Sequence, residues 1–415
     1  MQKHHYGIAF FLVFLGIPVT SHAVTGASYQ EVQGGLANKA SELVFFWSDS
    51  PAVVSERCGS LSAVRAGSST DLGSIGNSKV DCSQSENAGL IGLASHVFDD
   101  TQGYLYAYYT AKGASPKQHK VVRYGVSKDG DSITVNWSDS KTILDELPAF
   151  QPQNGGGGLA MGPDESLYIG VGHDGNTNGV QDVTLVNGKI LRVMWDGSLP
   201  TNNPVFEGSG SLETLFALGV QRPVSVAVDS ETSRLWIGEV GSELQEVNSG
   251  TGGENFGFPV YEGDKLKLPS VPLTGDTHTT PSHSFSNVGP TAFGGIVIGA
   301  PYRATSGEFK FPASFAGAVP VADFHQSWFR MLTTSADGLV EAVEFDGVSV
   351  DKVKSIATGP DGAIYFIEAN KKMLSRVAWT DTKPSVSIDA PSATYRYSAS
   401  ETLQLKGSAS DGEDG

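Results

Sequence analysis

The chain has 415 residues, a formal net charge of −17 and 50 glycines. Such an excess of acidic side chains argues against a nucleic-acid partner, because binding there depends on lysine and arginine neutralising phosphates. No long stretch repeats apolar residues with the period of an α-helix, whereas abundant glycine is typical of a fold with many tight turns. These properties favour a large all-β protein with an acidic, well-solvated surface.

The first 23 residues predict a secretory signal peptide. Lys3 lies in a short polar start, an apolar run covers residues 7–19, and residues 21–23 (SHA) form a small-x-small cleavage site. We expect cleavage after Ala23 and a secreted or periplasmic protein, with a retained N-terminal anchor as the alternative. The apolar run is short for a membrane span and no other segment is long enough, so we expect no transmembrane segment.

Two cysteines, Cys58 and Cys82, follow early in the chain. Export makes a disulfide between them the expected state, and two buried thiols are the alternative. Their spacing does not match a CxxC-type metal or redox motif, so we assign neither cysteine a catalytic role.

One short phrase recurs along the chain at a nearly fixed interval. An Asp-rich turn leads into alternating aliphatic and aromatic residues at 99–106, 162–169, 229–236 and 359–366. Successive copies lie about 65 residues apart, or twice that, and degenerate copies at 47–54 and 315–321 complete six units. Because a turn of this kind feeds a strand, and all-β units at a fixed period form a propeller, we predict a six-bladed β-propeller over residues 24–380.

The character of the sequence changes after Trp379. Residues 381–384 (DTKP) are typical of a linker, and two short strands are predicted at 385–388 and 402–405. The acidic turn at 410–415 is typical of the early part of an immunoglobulin-like or PKD-like sandwich. Since so short a segment cannot bury a core of its own, we interpret 381–415 as a linker and an incomplete β-sandwich segment. Either a downstream domain follows residue 415 or the segment is a flexible tail.

Three segments together resemble a known family. They are residues 89–94 (GLIGLA), 188–204 (GKILRVMWDGSLPTNNP) and 252–259 (GGENFGFP). In this order they are similar to the soluble sugar dehydrogenases that use pyrroloquinoline quinone (PQQ), the glucose/sorbosone dehydrogenase family, over about residues 29–379. The resemblance implies a six-bladed propeller, as the repeats do, and oxidation of an aldose-type sugar with PQQ and Ca²⁺ as cofactors.

The resemblance also implies the catalytic positions, and here the sequence departs from the family. Asn154 stands at the position of the family's general-base histidine, His173 at its partner aspartate, and Gln221 at the arginine of a Leu-Arg-Asn-Pro motif. Asparagine cannot accept the substrate proton. The turn between Asn154 and His173 predicts that they lie within cross-strand reach. Our hypothesis is therefore that His173 acts as a displaced base. The alternative is a loop histidine in a site that has lost its base.

The cofactor-binding positions implied by the resemblance are Asn87, Arg222, Lys352 and Lys354. The two lysines match family arginines that bind cofactor carboxylates, which keeps the charge but loses the bidentate fork. Calcium in the family is held partly by backbone carbonyls that correspond to Gly241 and Ser242. We expect a funnel at one end of the propeller, formed by the loops around Asn87, Asn154, His173, Gln221 and Lys354.

Residues 174–182 match the first half of a calcium-binding loop. Leu185 occupies the twelfth position, where a bidentate glutamate would be needed, so an Asx-rich surface loop is the favoured interpretation.

Taken together, the sequence predicts an exported oxidoreductase-family propeller that oxidises an aldose-type sugar with PQQ. A propeller that binds carbohydrate or another ligand but has lost the general base is the main alternative. A purely structural ectodomain is a third possibility, which the preserved glycine and aromatic scaffold disfavours.

Overall fold

The computed structural model describes residues 23–36, 39–76, 78–83, 88–149, 155–207, 210–287, 295–334, 340–380, 385–390 and 406–410. Asn87, Asn154 and most of the predicted signal peptide lie outside these ranges. The structure is almost wholly β, with short 3₁₀ helices at Asn178–Gln181 and Ala313–Phe315. Within the described ranges, no helix is long and apolar enough to cross a membrane.

The first complete blade follows two strands that pair elsewhere. These two strands are β1 (Ala23–Val24) and β2 (Ala27–Gln33). The blade is an antiparallel sheet of β3 (Ala40–Val44), β4 (Ala52–Glu56), β5 (Ser60–Arg65) and β6 (Ser68–Ser74).

The next three blades repeat this four-stranded antiparallel pattern. Blade two contains β7 (Leu90–Val97), β8 (Gln102–Thr110), β9 (Gln118–Asp129) and β10 (Ser132–Pro148). Blade three contains β11 (Gly156–Met161), β12 (Ser166–Val171), β13 (Lys189–Met194) and β14 (Leu215–Leu218). In blade four, β18 (Tyr261–Glu262) and β19 (Lys265–Leu266) form a separate small hairpin before the outer strand, and the sheet itself consists of β15 (Pro223–Val228), β16 (Leu235–Val240), β17 (Leu244–Gly250) and β20 (His283–Ser286).

The last two blades take up the strands from the start of the chain. Blade five contains β21 (Ile296–Ile298), β22 (Val319–Asp323), β23 (Phe329–Thr334) and β24 (Val340–Phe345), with β1 added in parallel at its edge. Blade six contains β25 (Val353–Thr358), β26 (Ile364–Glu368) and β27 (Met373–Trp379), and β2 is its outer strand. The six-bladed propeller is therefore confirmed, and its ring is closed by pairing the first strands with the last.

The first strand of each blade lines a central channel. The strands β3, β7, β11, β15, β21 and β25 are neighbours in that order around the ring, and β25 returns to β3. Residues from all six enclose a cavity of about 360 Å³. Glycine lets two of these strands approach closely, because a Cβ on Gly92 would lie 2.2 Å from the Gly157 carbonyl oxygen.

The apolar core is divided into layers between neighbouring blades. Val53 of blade one packs in one cluster with Leu105 of blade two, and Tyr168 of blade three packs in another with Ile237 of blade four. Further layers join the other neighbouring pairs, including blade six to blade one. Each blade is therefore stabilised mainly by burying apolar side chains against the next.

The repeated phrase of the sequence forms the turn between the first two strands of a blade. In blade three one Asp164 oxygen accepts a hydrogen bond from the Ser166 amide, and the other accepts from Tyr168 and Arg192. Blade six repeats this arrangement with an aspartate, a tyrosine four residues later and an arginine, namely Asp361, Tyr365 and Arg376. The phrase recurs because one carboxylate both closes the turn and joins the second strand to the third.

The C-terminal segment forms an antiparallel pair of β28 (Ser385–Ala390) and β29 (Lys406–Ser410). The first predicted strand is thus present and extends further than expected. The second predicted strand, 402–405, and the acidic turn at 411–415 lie outside the described residues.

Candidate active site at one end of the propeller

The topology brings the predicted site residues to one end of the ring. In each blade the loop from the second strand to the third lies at the end where the first strand begins. His173 follows β12, and Gly241 and Ser242 connect β16 to β17. Gln221 and Arg222 precede β15, and Lys354 is the second residue of β25. The described members of the predicted funnel therefore share one end.

The disulfide also lies at this end. Cys58 follows β4 and Cys82 lies between β6 and β7, and the two are bonded with their Cα atoms 5.2 Å apart. The Arg57 side chain donates a hydrogen bond to the Cys82 carbonyl oxygen at 3.1 Å. The bridge ties a loop of blade one to the segment that enters blade two.

Hydrogen bonds connect three of the predicted residues. The His173 amide donates to the Gln221 carbonyl oxygen at 3.0 Å, and the Gln221 side chain donates to Ser242 Oγ at 3.5 Å. In the preceding hairpin Gly156 pairs with Val171, so His173 lies just beyond the paired end. The structure therefore places His173, Gln221 and Ser242 together.

His173 is nearly buried and packs beside Phe258, with 5.4 Å between ring centres. Burial, together with the nearby Arg222 guanidinium, lowers the pKa of His173 to about 4, so the ring is neutral at neutral pH. The Gly175 amide donates a hydrogen bond to Nδ1 at 3.2 Å, which leaves Nε2 to carry the proton of the neutral ring. In this tautomer His173 is a hydrogen-bond donor from Nε2.

The loop that bears His173 is held from behind by a buried lysine. Lys189 is fully buried, and its ammonium group donates to the carbonyl oxygens of Gly179, Val180 and Asn187 at 2.7–3.3 Å. Burial lowers the pKa of Lys189 to about 7. The motif at 188–204 therefore contributes to the site through this structural contact.

The motif at 252–259 holds the same loop from the other side. The Gln181 and Asn255 side chains donate to each other, and Gln181 also donates to the Phe258 carbonyl oxygen at 2.7 Å. Gly257 has a φ of 93°, and a Cβ there would lie 3.1 Å from the His278 ring. Glycine is needed at this position because the backbone is left-handed and closely packed.

The Asx-rich segment at 174–182 forms ordinary turn contacts. Asp182 Oδ1 accepts hydrogen bonds from the amide and hydroxyl of Thr184, and Asn176 Oδ1 accepts from the Gly179 amide. No group of three metal-ligating side chains occurs among the residues that the structure describes. The contacts agree with an Asx-rich surface loop.

Arg222 is a buried cation at this end of the ring. It is only 4% exposed, and its guanidinium donates to the carbonyl oxygens of Val240 at 2.9 Å and Gly241 at 3.4 Å. Burial lowers the pKa of Arg222 to about 10, and the carboxyl groups of Glu239 and Glu262 oppose this shift. Arg222 is therefore charged at neutral pH.

Lys352 directly precedes β25 in a left-handed backbone conformation, and Lys354 lies within the strand, so the two do not alternate along one strand face. Their Nζ atoms are 5.6 Å and 5.7 Å from the centre of the Phe324 ring. Phe324 follows β22 in the loop at the same end of blade five. Two cations thus flank one aromatic ring, which is a suitable arrangement for a flat, anionic ligand.

The sequence analysis missed Glu42, which lines the start of the channel. Glu42, Lys354 and Ser355 border a cavity of about 80 Å³. The first strand of every blade contributes residues to the wall of this cavity. Burial raises the pKa of Glu42 to about 8, although a hydrogen bond with Ser355 and the charge of Lys354 oppose the shift. The signal in the sequence was a single acidic residue within the short, mostly buried strand β3.

Known proteins match both the fold and the chain as a whole. The structure is a six-bladed propeller whose described candidate site residues share one end, and the profile of the glucose/sorbosone dehydrogenase family matches residues 40–376. The chain belongs to this family. Aldose sugar dehydrogenase YliI of Escherichia coli K12 is 25% identical over 285 residues, which cover 63% of this chain and 69% of that protein.

Solved structures show the same fold at lower identity. The soluble aldose sugar dehydrogenase of E. coli in its apo form has a TM-score of 0.65 at 17% identity, covering 85% of this chain and 99% of that one. The PQQ-bound aldose sugar dehydrogenase of Streptomyces coelicolor has a TM-score of 0.61 at 21% identity, covering 85% and 98%. The predicted family resemblance is confirmed. These relatives are consistent with a sugar oxidoreductase and do not favour the binding-propeller alternative.

Proposed function

We propose that this protein is an exported, PQQ-dependent dehydrogenase that oxidises the anomeric hydroxyl of an aldose-type sugar. The observation that carries this proposal is that Arg222, Lys352, Lys354, His173 and Glu42 all lie at the same end of the propeller, with Glu42 and Lys354 bordering one cavity. The family membership supports the reaction class. Export is supported by the leader-like residues 1–23 and by the disulfide at Cys58 and Cys82.

The residues present fit PQQ, whose three carboxylates require fixed positive charge. Lys352 and Lys354 provide two cations beside the Phe324 ring, and Arg222 provides a third that is held rigidly by backbone carbonyls. Asn87 stays a proposed contact from the family resemblance. When bound, PQQ supplies the acceptor for the hydride that leaves the sugar carbon.

The residues do not fit calcium at Gly241, one of the two predicted ligands. The Gly241 carbonyl oxygen already accepts hydrogen bonds from Arg222 and from the Asn287 side chain, at 3.4 Å and 2.9 Å. Both lone pairs are thus used, and one donor is a cation. We therefore assign no step of the reaction to a calcium ion at this position.

Glu42 is the proposed acceptor of the sugar hydroxyl proton. A carboxyl group with a pKa of about 8 is partly ionised near neutrality and is a stronger base than an ordinary glutamate. It borders the cavity that Lys354 also lines, and this cavity is the proposed route by which the proton would reach solvent water. His173 then acts as a hydrogen-bond donor that orients an oxygen of the substrate. Gln221 and Asn154 are proposed to help orient the substrate.

Titration of the purified apoprotein with PQQ, followed by the quinone absorbance, tests the proposal. We expect saturable binding and then reduction of an artificial dye with at least one member of a panel of aldoses. Lys352→Gln with Lys354→Gln should weaken PQQ binding about tenfold or more, since charge-assisted contacts contribute about 1.5–3 kcal/mol each. Lys79→Gln is the matched control, because Lys79 is exposed. Absence of PQQ binding, or equal binding by all three proteins, contradicts the proposal.

A further inference from the structure

The carbonyl oxygen of Gly241 has an unusual set of neighbours for a place where the family resemblance implies calcium. Arg222 reaches back to it across 19 residues of chain and donates at 3.4 Å, while its Nε donates to Val240 at 2.9 Å. Asn287 donates to the same oxygen at 2.9 Å. A permanent positive charge is therefore built against the backbone segment that would ligate the ion.

A calcium ion needs oxygen ligands at about 2.3–2.6 Å and takes six to eight of them. An ion bound to Gly241 at that distance would share one oxygen with a guanidinium, and the two cations would repel each other. Its binding would also displace the hydrogen bond from Asn287. The described residues around Gly241 are thus arranged for a fixed organic cation.

Two buried glutamates neighbour Arg222, although burial and the charge of Glu246 raise the pKa of Glu239 and so favour its neutral form. Glu239 and Glu262 lie within electrostatic reach of the guanidinium. Both are themselves held, because Glu239 accepts from the Gln221 amide and from Asn248, and Glu262 accepts from the amides of residues 243 and 244. Arg222 is therefore part of a buried network of hydrogen-bonded groups. An ion could take the place of its guanidinium only if these groups rearranged.

The geometry points to Arg222 as the substitute for the calcium ion of the family: the guanidinium would supply the fixed positive charge that the ion supplies to the cofactor, and cofactor binding in this protein is independent of calcium. This inference rests on the proposed use of PQQ. In the sequence the corresponding signal is the Gln221-Arg222 pair, in which the arginine stands one position later than in the family motif.

The test compares PQQ binding by the apoprotein in EGTA and in millimolar calcium. For the wild type we expect dissociation constants that agree within about twofold. Arg222→Asn should bind PQQ at least about tenfold more weakly in EGTA and recover when calcium is added. Arg222→Lys, which keeps the charge, should remain independent of calcium. Arg234→Asn is the control, since Arg234 is exposed at the opposite end of the same blade.

Calorimetric titration of the apoproteins with calcium alone gives a second measurement that does not require PQQ. Arg222→Asn should gain one calcium site relative to the wild type. Wild-type PQQ binding that requires calcium would overturn the inference and leave the proposed function standing. If the wild type binds no PQQ at all, the proposed function fails, and equal calcium binding by the wild type and Arg222→Asn would then reject the inference as well.

Discussion

The side-chain amides of Gln181 and Asn255 donate hydrogen bonds to each other, at 3.1 Å and 2.8 Å, although the residues are 74 positions apart. Both side chains are buried. This pair links the loop that bears His173 to the motif at 252–259, so the geometry of the site depends on a contact remote from any reacting atom.

Asn255→Leu should lower the free energy of unfolding by about 1–3 kcal/mol, because it removes both hydrogen bonds between the two side chains and leaves the buried Gln181 amide with its contacts to the backbone of Phe258 and Thr274. Urea denaturation measures the change, and proteolysis should become faster within residues 174–188. In a double-mutant cycle with Gln181→Leu the two effects should be clearly less than additive. Additive effects would show that the two amides do not act as a pair.

The pH dependence of turnover distinguishes Glu42 from His173 as the base. Glu42 must be ionised to accept a proton, so activity should rise with pH through a pKa of about 8. Glu42→Gln should remove this limb and lower turnover by about 10²–10⁴-fold, whereas His173→Asn, which retains an N–H donor, should preserve it. A limb near pH 4 that disappears in His173→Asn would instead assign the proton to His173.

His119 should make the protein sensitive to acid. It is fully buried in blade two, and neither ring nitrogen has a hydrogen-bond partner among the described residues. Burial lowers the pKa of His119 to about 3, below the ordinary value of 6.5. Because the unfolded chain then binds the extra proton, the stability contributed by the neutral ring is complete above pH 6.5 and is lost as the pH falls towards 3.

Between pH 6.5 and 3 the wild type should lose up to about 1.4 kcal/mol of unfolding free energy per pH unit because of His119. His119→Phe should lack this contribution, which urea denaturation at several pH values measures. The phenyl ring preserves the edge-to-face contact with Tyr108, whose ring centre is 5.5 Å away. His96→Phe is the comparison, since His96 lies on the same blade and is partly exposed. An unchanged pH slope in His119→Phe would contradict the assignment.

Loss of the disulfide should destabilise the protein by about 3 kcal/mol, as expected from the entropy of closing a loop of this length. The bridge joins residues 24 positions apart. Cys58→Ser with Cys82→Ser should lower the urea midpoint, and reduction of the wild type should lower it by the same amount. Two reactive thiols in the native, exported protein would rule the bridge out.

The fold was predictable because its turns are encoded locally. The contacts of Asp164 with Ser166 and Tyr168 span two and four residues, so the phrase that produces them is visible in the sequence. Blade five was harder to recognise. There the connection from β21 to β22 is a long segment with a 3₁₀ helix at Ala313–Phe315, and the phrase survives only in degenerate form.

The site was predictable only in outline. Family offsets located Lys352 and Lys354, and the topology brought them to the expected end of the ring. The sequence could not show that Arg222 turns back to Gly241, since that contact depends on the path of the intervening hairpin. Glu42 could not be predicted either, because its position depends on the tertiary structure. A strand packed on both faces shows no alternation of polar and apolar residues, so the sequence does not indicate which side chain borders the channel.

Pairing of β2 with β27 has a consequence for the order in which the molecule can assemble. Ala27 pairs with Trp379, so a strand from the start of the propeller must wait for the final strand of the propeller. Until β27 has been synthesised, β2 is an unpaired edge, which is prone to mispairing and must be kept from neighbouring chains. Closure over so long a sequence separation is also slow. A nascent chain that stops short of Trp379 leaves the ring open, however completely its earlier blades have formed.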